Sequence, residues 1–118
     1  MAKRILAVED DPDILFIVEQ ILNEEGYEVY TSEDGKDITN HVNHVKPDLI
    51  LLDIRLPAGD GRQLCKDIRN TNVSVPIILM SAHINYSEGF SNVCANDFIA
   101  KPFDITELLE RIEKQLVA

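Results

Sequence analysis

The stretch that most constrains this chain is residues 47–57, PDLILLDIRLP, in which four consecutive Leu and Ile residues lead into Asp53 and then into a loop holding Pro57, Gly59 and Gly61. A strand with one wet face alternates apolar and polar side chains. An unbroken apolar run bounded by Pro and Gly is instead covered on both faces, as in a parallel sheet between helical layers. Asp53 then stands at the carboxyl end of a strand, the edge at which open α/β sheets hold ligands. Asp at that position also serves as an ordinary turn cap, so the residue alone does not decide between site and turn.

The same rule recurs along the chain. Residues 4–8, RILAV, run into Glu9, Asp10 and Asp11; residues 76–80, PIILM, run into Ser81; and residues 97–100, DFIA, run into Lys101 and Pro102. A further short strand, residues 28–31, is more polar and is expected at a sheet edge. Between the strands lie helical patterns. Asp11 followed by Pro12 predicts a helix N-cap with Pro at the first helical position, and Ile14, Leu15, Val18, Ile21 and Leu22 form its apolar face up to a stop at Gly26. Ile38, Val42 and Val45 mark a weaker helix, and Leu64, Cys65 and Ile68 a short one over residues 61–70. Residues 82–96 are the least regular part and predict at most a frayed helix around Gly89. Asp104 with Glu107 resembles a capping box before a last helix whose buried face is Ile105, Leu108, Leu109, Ile112 and Leu116. Five strands alternating with five helical segments predict a doubly wound α/β sheet.

A chain of 118 residues has room for one domain, taken here as residues 1–118, with a core of its own. No run approaches the roughly 18 apolar residues of a membrane span, and the N-terminal Met1-Ala2-Lys3-Arg4 has no signal-peptide pattern. The net charge of −10 argues against direct nucleic-acid binding and favours cations or basic protein surfaces. Cys65 and Cys94 form no CxxC pair, so free buried thiols in a reducing cytosol are expected, and the cytoplasm is the expected location. His41 and His44 have no acidic or Cys partner at ligand spacing and are expected on the surface.

If the sheet is parallel, Glu9, Asp10, Asp53, Ser81 and Lys101 all emerge at one edge. Carboxylates gathered there repel one another until a proton or a hard cation relieves them. Mg²⁺ suits such an all-oxygen set. A carboxylate so neutralised can attack phosphorus and become an aspartyl phosphate, with a Lys screening the phosphoryl oxygens and a hydroxyl donating to one of them.

With Val8-Glu9-Asp10, then Asp53, Leu56-Pro57 and Gly59-Asp60-Gly61, then Ser81-Ala82, then Lys101-Pro102-Phe103, the whole chain resembles the CheY-like receiver domain of two-component response regulators. The resemblance implies a flavodoxin-like three-layer sandwich with five parallel strands in the order 2-1-3-4-5. It implies Asp53 as phosphoacceptor, Mg²⁺ as cofactor held by Glu9, Asp10, Asp53 and the backbone carbonyl of Arg55, Lys101 as the phosphate-pairing cation, and Ser81 as the switch hydroxyl with Phe98 behind it. It also implies a cis bond between Lys101 and Pro102. The module is then a phosphorylated switch, not an enzyme acting on an external substrate. Its phosphoryl group comes from a sensor histidine kinase or a histidine phosphotransfer protein, and its output goes to an effector protein or to an output domain. It is expected to be a monomer or weak homodimer.

Three departures from the commonest family pattern stand out: Phe98 where Tyr is frequent, the bulky Arg55 two residues after Asp53, and the Gly-interrupted residues 82–96. A phosphatase of the haloacid-dehalogenase type also forms an aspartyl phosphate, but it needs a second Asp where this chain has Arg55. Because Phe lacks the hydroxyl that draws Tyr to the surface, Phe98 is expected inward before phosphorylation. The effector surface is expected on residues 82–96, the last strand and the last helix with Glu107, Glu110, Arg111 and Lys114.

Overall fold

A computed structural model describes residues 2–57, 59–71, 74–81 and 94–117. In chain order the elements are β1 (Arg4–Val8), α1 (Pro12–Glu24), β2 (Glu28–Ser32), α2 (Ile38–Val45), β3 (Leu49–Asp53), β4 (Arg55–Leu56), β5 (Gly59–Asp60), α3 (Gly61–Thr71), β6 (Ile77–Ser81), β7 (Asp97–Ala100) and α4 (Ile105–Leu116). The main sheet is parallel throughout, in the order β2-β1-β3-β6-β7. Counting only these five strands, that is 2-1-3-4-5, the order the sequence resemblance implied. The two-residue strands β4 and β5 form a separate antiparallel ladder, Arg55 opposite Asp60 and Leu56 opposite Gly59, in what the sequence offered only as a loop.

The apolar strands are explained by the two layers that cover them. Ile50 and Leu52 of β3 face one core with Leu6, Val8, Ile77, Leu79 and Phe98, closed by Ile38 and Val42 of α2 and Leu64, Cys65 and Ile68 of α3. Leu49 and Leu51 face the other, with Ile5, Ala7, Ile78, Met80 and Ile99, closed by Leu15, Val18 and Leu22 of α1 and Leu108 and Ile112 of α4. Alternate residues of one strand thus serve opposite cores, so no position in the run tolerates a polar side chain. The edge strand β2 is half-covered, as its polar composition predicts.

The ends of the elements follow local chemistry. Asp11 caps α1, accepting hydrogen bonds from the Asp13 amide at 2.9 Å and the Ile14 amide at 3.4 Å. Gly26 leaves that helix with φ +91°, a conformation that glycine adopts without cost. Asp104 caps α4 through the Thr106 amide at 2.7 Å, while the Glu107 carboxylate pairs forward with Arg111 at 3.4 Å. The Lys101-Pro102 bond is cis.

Two expectations are corrected. Ile105, read as part of the buried face of the last helix, is half exposed, because α4 covers the sheet only from Leu108 onwards. Cys65 and Cys94 are not free thiols: they are joined in a disulfide, their Cα atoms 6.2 Å apart. Their 29-residue separation hides a proximity that only the packing of α3 beside the entry to β7 creates. Most of the irregular stretch, residues 82–93, lies outside the described residues.

Candidate functional site

The parallel register delivers the sequence candidates to one edge. Val8 pairs with Leu52, so Glu9 and Asp53 leave neighbouring strands side by side. Asp53 pairs with Met80, and the Lys101 amide extends the ladder to the Ser81 carbonyl at 2.8 Å. Glu9, Asp53 and Ser81 are the three buried polar side chains among the described residues. Asp10 is exposed.

The carboxylates of Glu9, Asp10 and Asp53 each offer an oxygen lying within 4.8 Å of the others. Lys101 reaches into the same space, its Nζ 3.0 Å from Asp53 Oδ2 and hydrogen-bonded to Glu9 Oε1. The other Glu9 oxygen accepts from the Asp11 amide at 3.1 Å, and Asp53 Oδ1 accepts from the Arg55 amide at 3.3 Å. Three acids therefore face one cation, in a place where two of the acids are almost dry.

The imbalance is visible in the protonation of Glu9. Burial, and then its hydrogen bond with Asp53, push the carboxyl up from 4.5 to about 7 against the opposing pull of Lys101 and the Asp11 amide. Burial also works against the charge of Lys101, but its hydrogen bonds to Glu9 and Asp53 outweigh this and hold the ammonium above its ordinary value. The donor set is all hard oxygen, which suits Mg²⁺ rather than a softer metal.

Gly61 is part of the site's scaffolding. Its amide bonds the Ile54 carbonyl at 2.6 Å, and a Cβ on it would lie 2.1 Å from the Asp53 carbonyl oxygen. Only glycine lets the start of α3 close against the end of β3. Phe98 sits on β7, beside Leu79 in register, and is buried in the same core as Leu52, Cys65 and Ile68. Arg55 lies exposed on β4 with its backbone at the mouth of the site.

Some features were not legible in sequence. An apolar groove beside Lys101 is lined by Ile14, Ile17, Pro102, Phe103 and Ile105, with Phe16, Ile17 and Ile105 at least half exposed. Helical periodicity predicts a buried stripe, and Phe16 and Ile17 fall outside it; two adjacent apolar residues off the stripe were the available signal. Arg111, expected among the polar contacts of the effector surface, is engaged internally with Asp97 at 2.7 Å and the Phe98 carbonyl at 2.9 Å. His41 and His44 join no metal-capable cluster among the described residues. No helix among them is long and apolar enough to cross a membrane.

The response regulator receiver domain, as a family, matches residues 5–113. Solved structures agree over whole chains. A CheY-like response regulator receiver domain protein from Methanospirillum hungatei is 31% identical with a TM-score of 0.92, covering 99% of this chain and 95% of its own. The response regulator TrrA from Thermotoga maritima, crystallised in complex with Mg²⁺-BeF, is 35% identical with a TM-score of 0.88 over 97% and 99% of the two chains. The receiver domain of a sensor histidine kinase from Pseudomonas aeruginosa, with magnesium coordinated in its active-site cleft, is 32% identical with a TM-score of 0.87, covering all of both chains. The chain belongs to the response regulator receiver family.

Proposed function

We propose that this receiver, taken as one domain over residues 1–118, accepts a phosphoryl group on Asp53 from the phosphohistidine of a sensor kinase or histidine phosphotransfer protein, and signals through the protein contacts that follow. The observation that carries the reading is the convergence of Glu9, Asp10 and Asp53 oxygens within 4.8 Å, with Lys101 Nζ 3.0 Å from Asp53. Glu9, Asp10, Asp53 and the backbone carbonyl of Arg55 would hold Mg²⁺, in keeping with the all-oxygen donors here and with the magnesium of the Thermotoga and Pseudomonas relatives. Bound there, the ion supplies positive charge that lowers the repulsion between the carboxylates and the incoming phosphoryl oxygens.

The chain's own residues do the rest. An Asp53 oxygen attacks phosphorus as the P–N bond to imidazole breaks, and the imidazole departs with the bond's electron pair and takes a proton. Lys101, already hydrogen-bonded to Asp53, shifts its ammonium onto a phosphoryl oxygen. Glu9 is held by the Asp11 amide and Lys101, so it contributes field and position. Ser81, one register step from Lys101, donates its hydroxyl to another phosphoryl oxygen and so draws its loop towards Asp53. Phe98 is already buried on β7, in register with Leu79, so on this reading an inward rotation of its ring is not the step that phosphorylation drives. The groove of Ile14, Ile17, Phe103 and Ile105 beside Lys101 gives a phosphodonor protein an apolar foothold at the mouth of the site.

Acetyl phosphate, a small donor needing no docking partner, tests the reading. Incubated with it and Mg²⁺, the protein should gain one phosphoryl group by intact mass, and a chelator should stop the gain. Equal labelling with and without Mg²⁺ would contradict the proposal.

A further inference from the structure

The disulfide lies in a telling place. Cys65 is fully buried on the core face of α3, four residues beyond Gly61, which closes on the Asp53 carbonyl. Cys94 is partly buried against the same core and stands just ahead of β7, the strand that ends at Lys101. The bridge therefore ties α3, whose first residue closes on the Asp53 carbonyl, to the entry of β7, the strand that leads to Lys101.

The Cys94 end does not depend on the bridge. Arg69 donates from Nε to the Cys94 carbonyl at 2.9 Å and from Nη2 to Asn96 Oδ1 at 2.6 Å. Asn96 in turn bonds the backbone of Ile77 in both directions, its amide to the Ile77 carbonyl at 2.8 Å and its Oδ1 accepting from the Ile77 amide at 3.0 Å. With residues 94–96 fastened to α3 and β6 by these bonds, opening the disulfide leaves the two sulfurs near each other and the sheet edge in place. A bridge whose ends stay aligned when it opens is one that closes again.

We propose that Cys65 and Cys94 form a reversible thiol–disulfide modification site, closed by small-molecule disulfides and opened by dithiol reductants. Exposure fixes the order of events. Cys94, the accessible partner, attacks as thiolate on a small disulfide, forming a mixed disulfide and releasing one thiolate. The buried Cys65 loses its proton to solvent and attacks the Cys94 sulfur, expelling the second thiolate. Two protein thiols are oxidised and one small disulfide is reduced to two thiols, so atoms and electrons balance. None of this requires phosphorylation of Asp53, and the site's fate is independent of that reading.

The test uses the full chain, reduced and then equilibrated with graded mixtures of reduced and oxidised glutathione, quenched in acid, alkylated in denaturant and weighed intact. The expected result is one conversion from a doubly alkylated to an unalkylated monomer. The closed form should melt about 10 °C above the open one, as the loop it closes implies. Cys65→Ser, or Cys65→Ala should serine weaken the core, should stop at a glutathione adduct on Cys94; Cys94→Ser should leave Cys65 at least about tenfold slower to react than Cys94 in the other variant, following its burial. Asp53→Asn should convert like the unaltered protein, which separates this claim from the phosphoacceptor reading. A chain that stays a dithiol throughout, ends as a mixed disulfide or links into dimers, or in which Cys65 reacts as fast as Cys94, would overturn the proposal.

Discussion

The two edges of one sheet carry similar residues to opposite effect. At the amino-terminal edge, the Arg4 amide bonds Asp48 at 2.8 Å, its guanidinium bonds the Val45 carbonyl at 2.9 Å, and it lies 3.8 Å from Glu28. Arg4 and Glu28 are each nearly half exposed, and with Lys46 and Asp48 beside them two cations meet two acids. At the carboxyl edge, Glu9 and Asp53 are 1% and 4% exposed and share Lys101, with the Asp10 carboxylate clustered beside them. Water screens the first set, and its pairs contribute little to stability. The second set is unbalanced and two of its acids are almost dry, so it costs stability in the resting protein and has capacity to bind a cation or a phosphoryl group. Burial together with unequal charge, more than acidity alone, marks the functional edge.

Disturbing the carboxyl edge at its backbone should have the largest effect. Gly61→Ala places a methyl group 2.1 Å from the Asp53 carbonyl oxygen, so the start of α3 and the end of β3 must part. A loss of about 4 kcal/mol is expected by urea unfolding, with weakened Mg²⁺ binding. A near-neutral Ala would mean that the two elements can separate without harm to the edge.

Next comes the proton on Glu9. Its folded pKa of about 7 lies above the ordinary 4.5, so the folded state keeps a proton that the unfolded chain has lost. The resulting stabilisation is full below about 4.5 and disappears as pH rises through about 7, so metal-free protein should lose stability across that window. The loss is on the order of 3 kcal/mol, one pKa unit being worth about 1.4 kcal/mol. Unfolding at intervals of pH should show this slope in the unaltered chain and its removal in Glu9→Gln. A slope surviving in Glu9→Gln would move the strained proton to another group.

Smaller effects separate cap from site and edge from edge. Asp11→Ala removes the side-chain acceptor for the Asp13 and Ile14 amides and should cost about 1 kcal/mol while leaving Mg²⁺ affinity unchanged by calorimetry. If it lowered that affinity as far as Asp10→Ala does, Asp11 would belong to the site. Glu28→Gln at the opposite edge should change stability by less than about 0.5 kcal/mol. A larger change would erase the contrast between the edges.

These contrasts also explain what could be read in the sequence. Leu49 to Leu52 announce a doubly covered strand because both faces of each residue pair meet helices, and Glu9, Asp53, Ser81 and Lys101 are legible as strand-terminal polar residues. The Lys101-Pro102 cis bond and the order of the five main strands followed from family resemblance and hold in the structure. What escaped depends on distances between elements. The Cys65–Cys94 bridge needs α3 beside β7, the exposure of Ile105 needs to know where α4 leaves the sheet, and the raised pKa of Glu9 needs its separation from Asp53. The β4–β5 ladder escaped because two residues a side carry no periodicity.

The central claim is that Asp53, of the three clustered acids, takes the phosphoryl group. Labelling with acetyl phosphate and Mg²⁺, followed by borohydride reduction of the acyl phosphate and peptide mass mapping, tests it directly. Reduction at Asp53 alone and no labelling of Asp53→Asn are expected; a reduced residue at Glu9 or Asp10, or undiminished labelling of Asp53→Asn, would contradict the assignment.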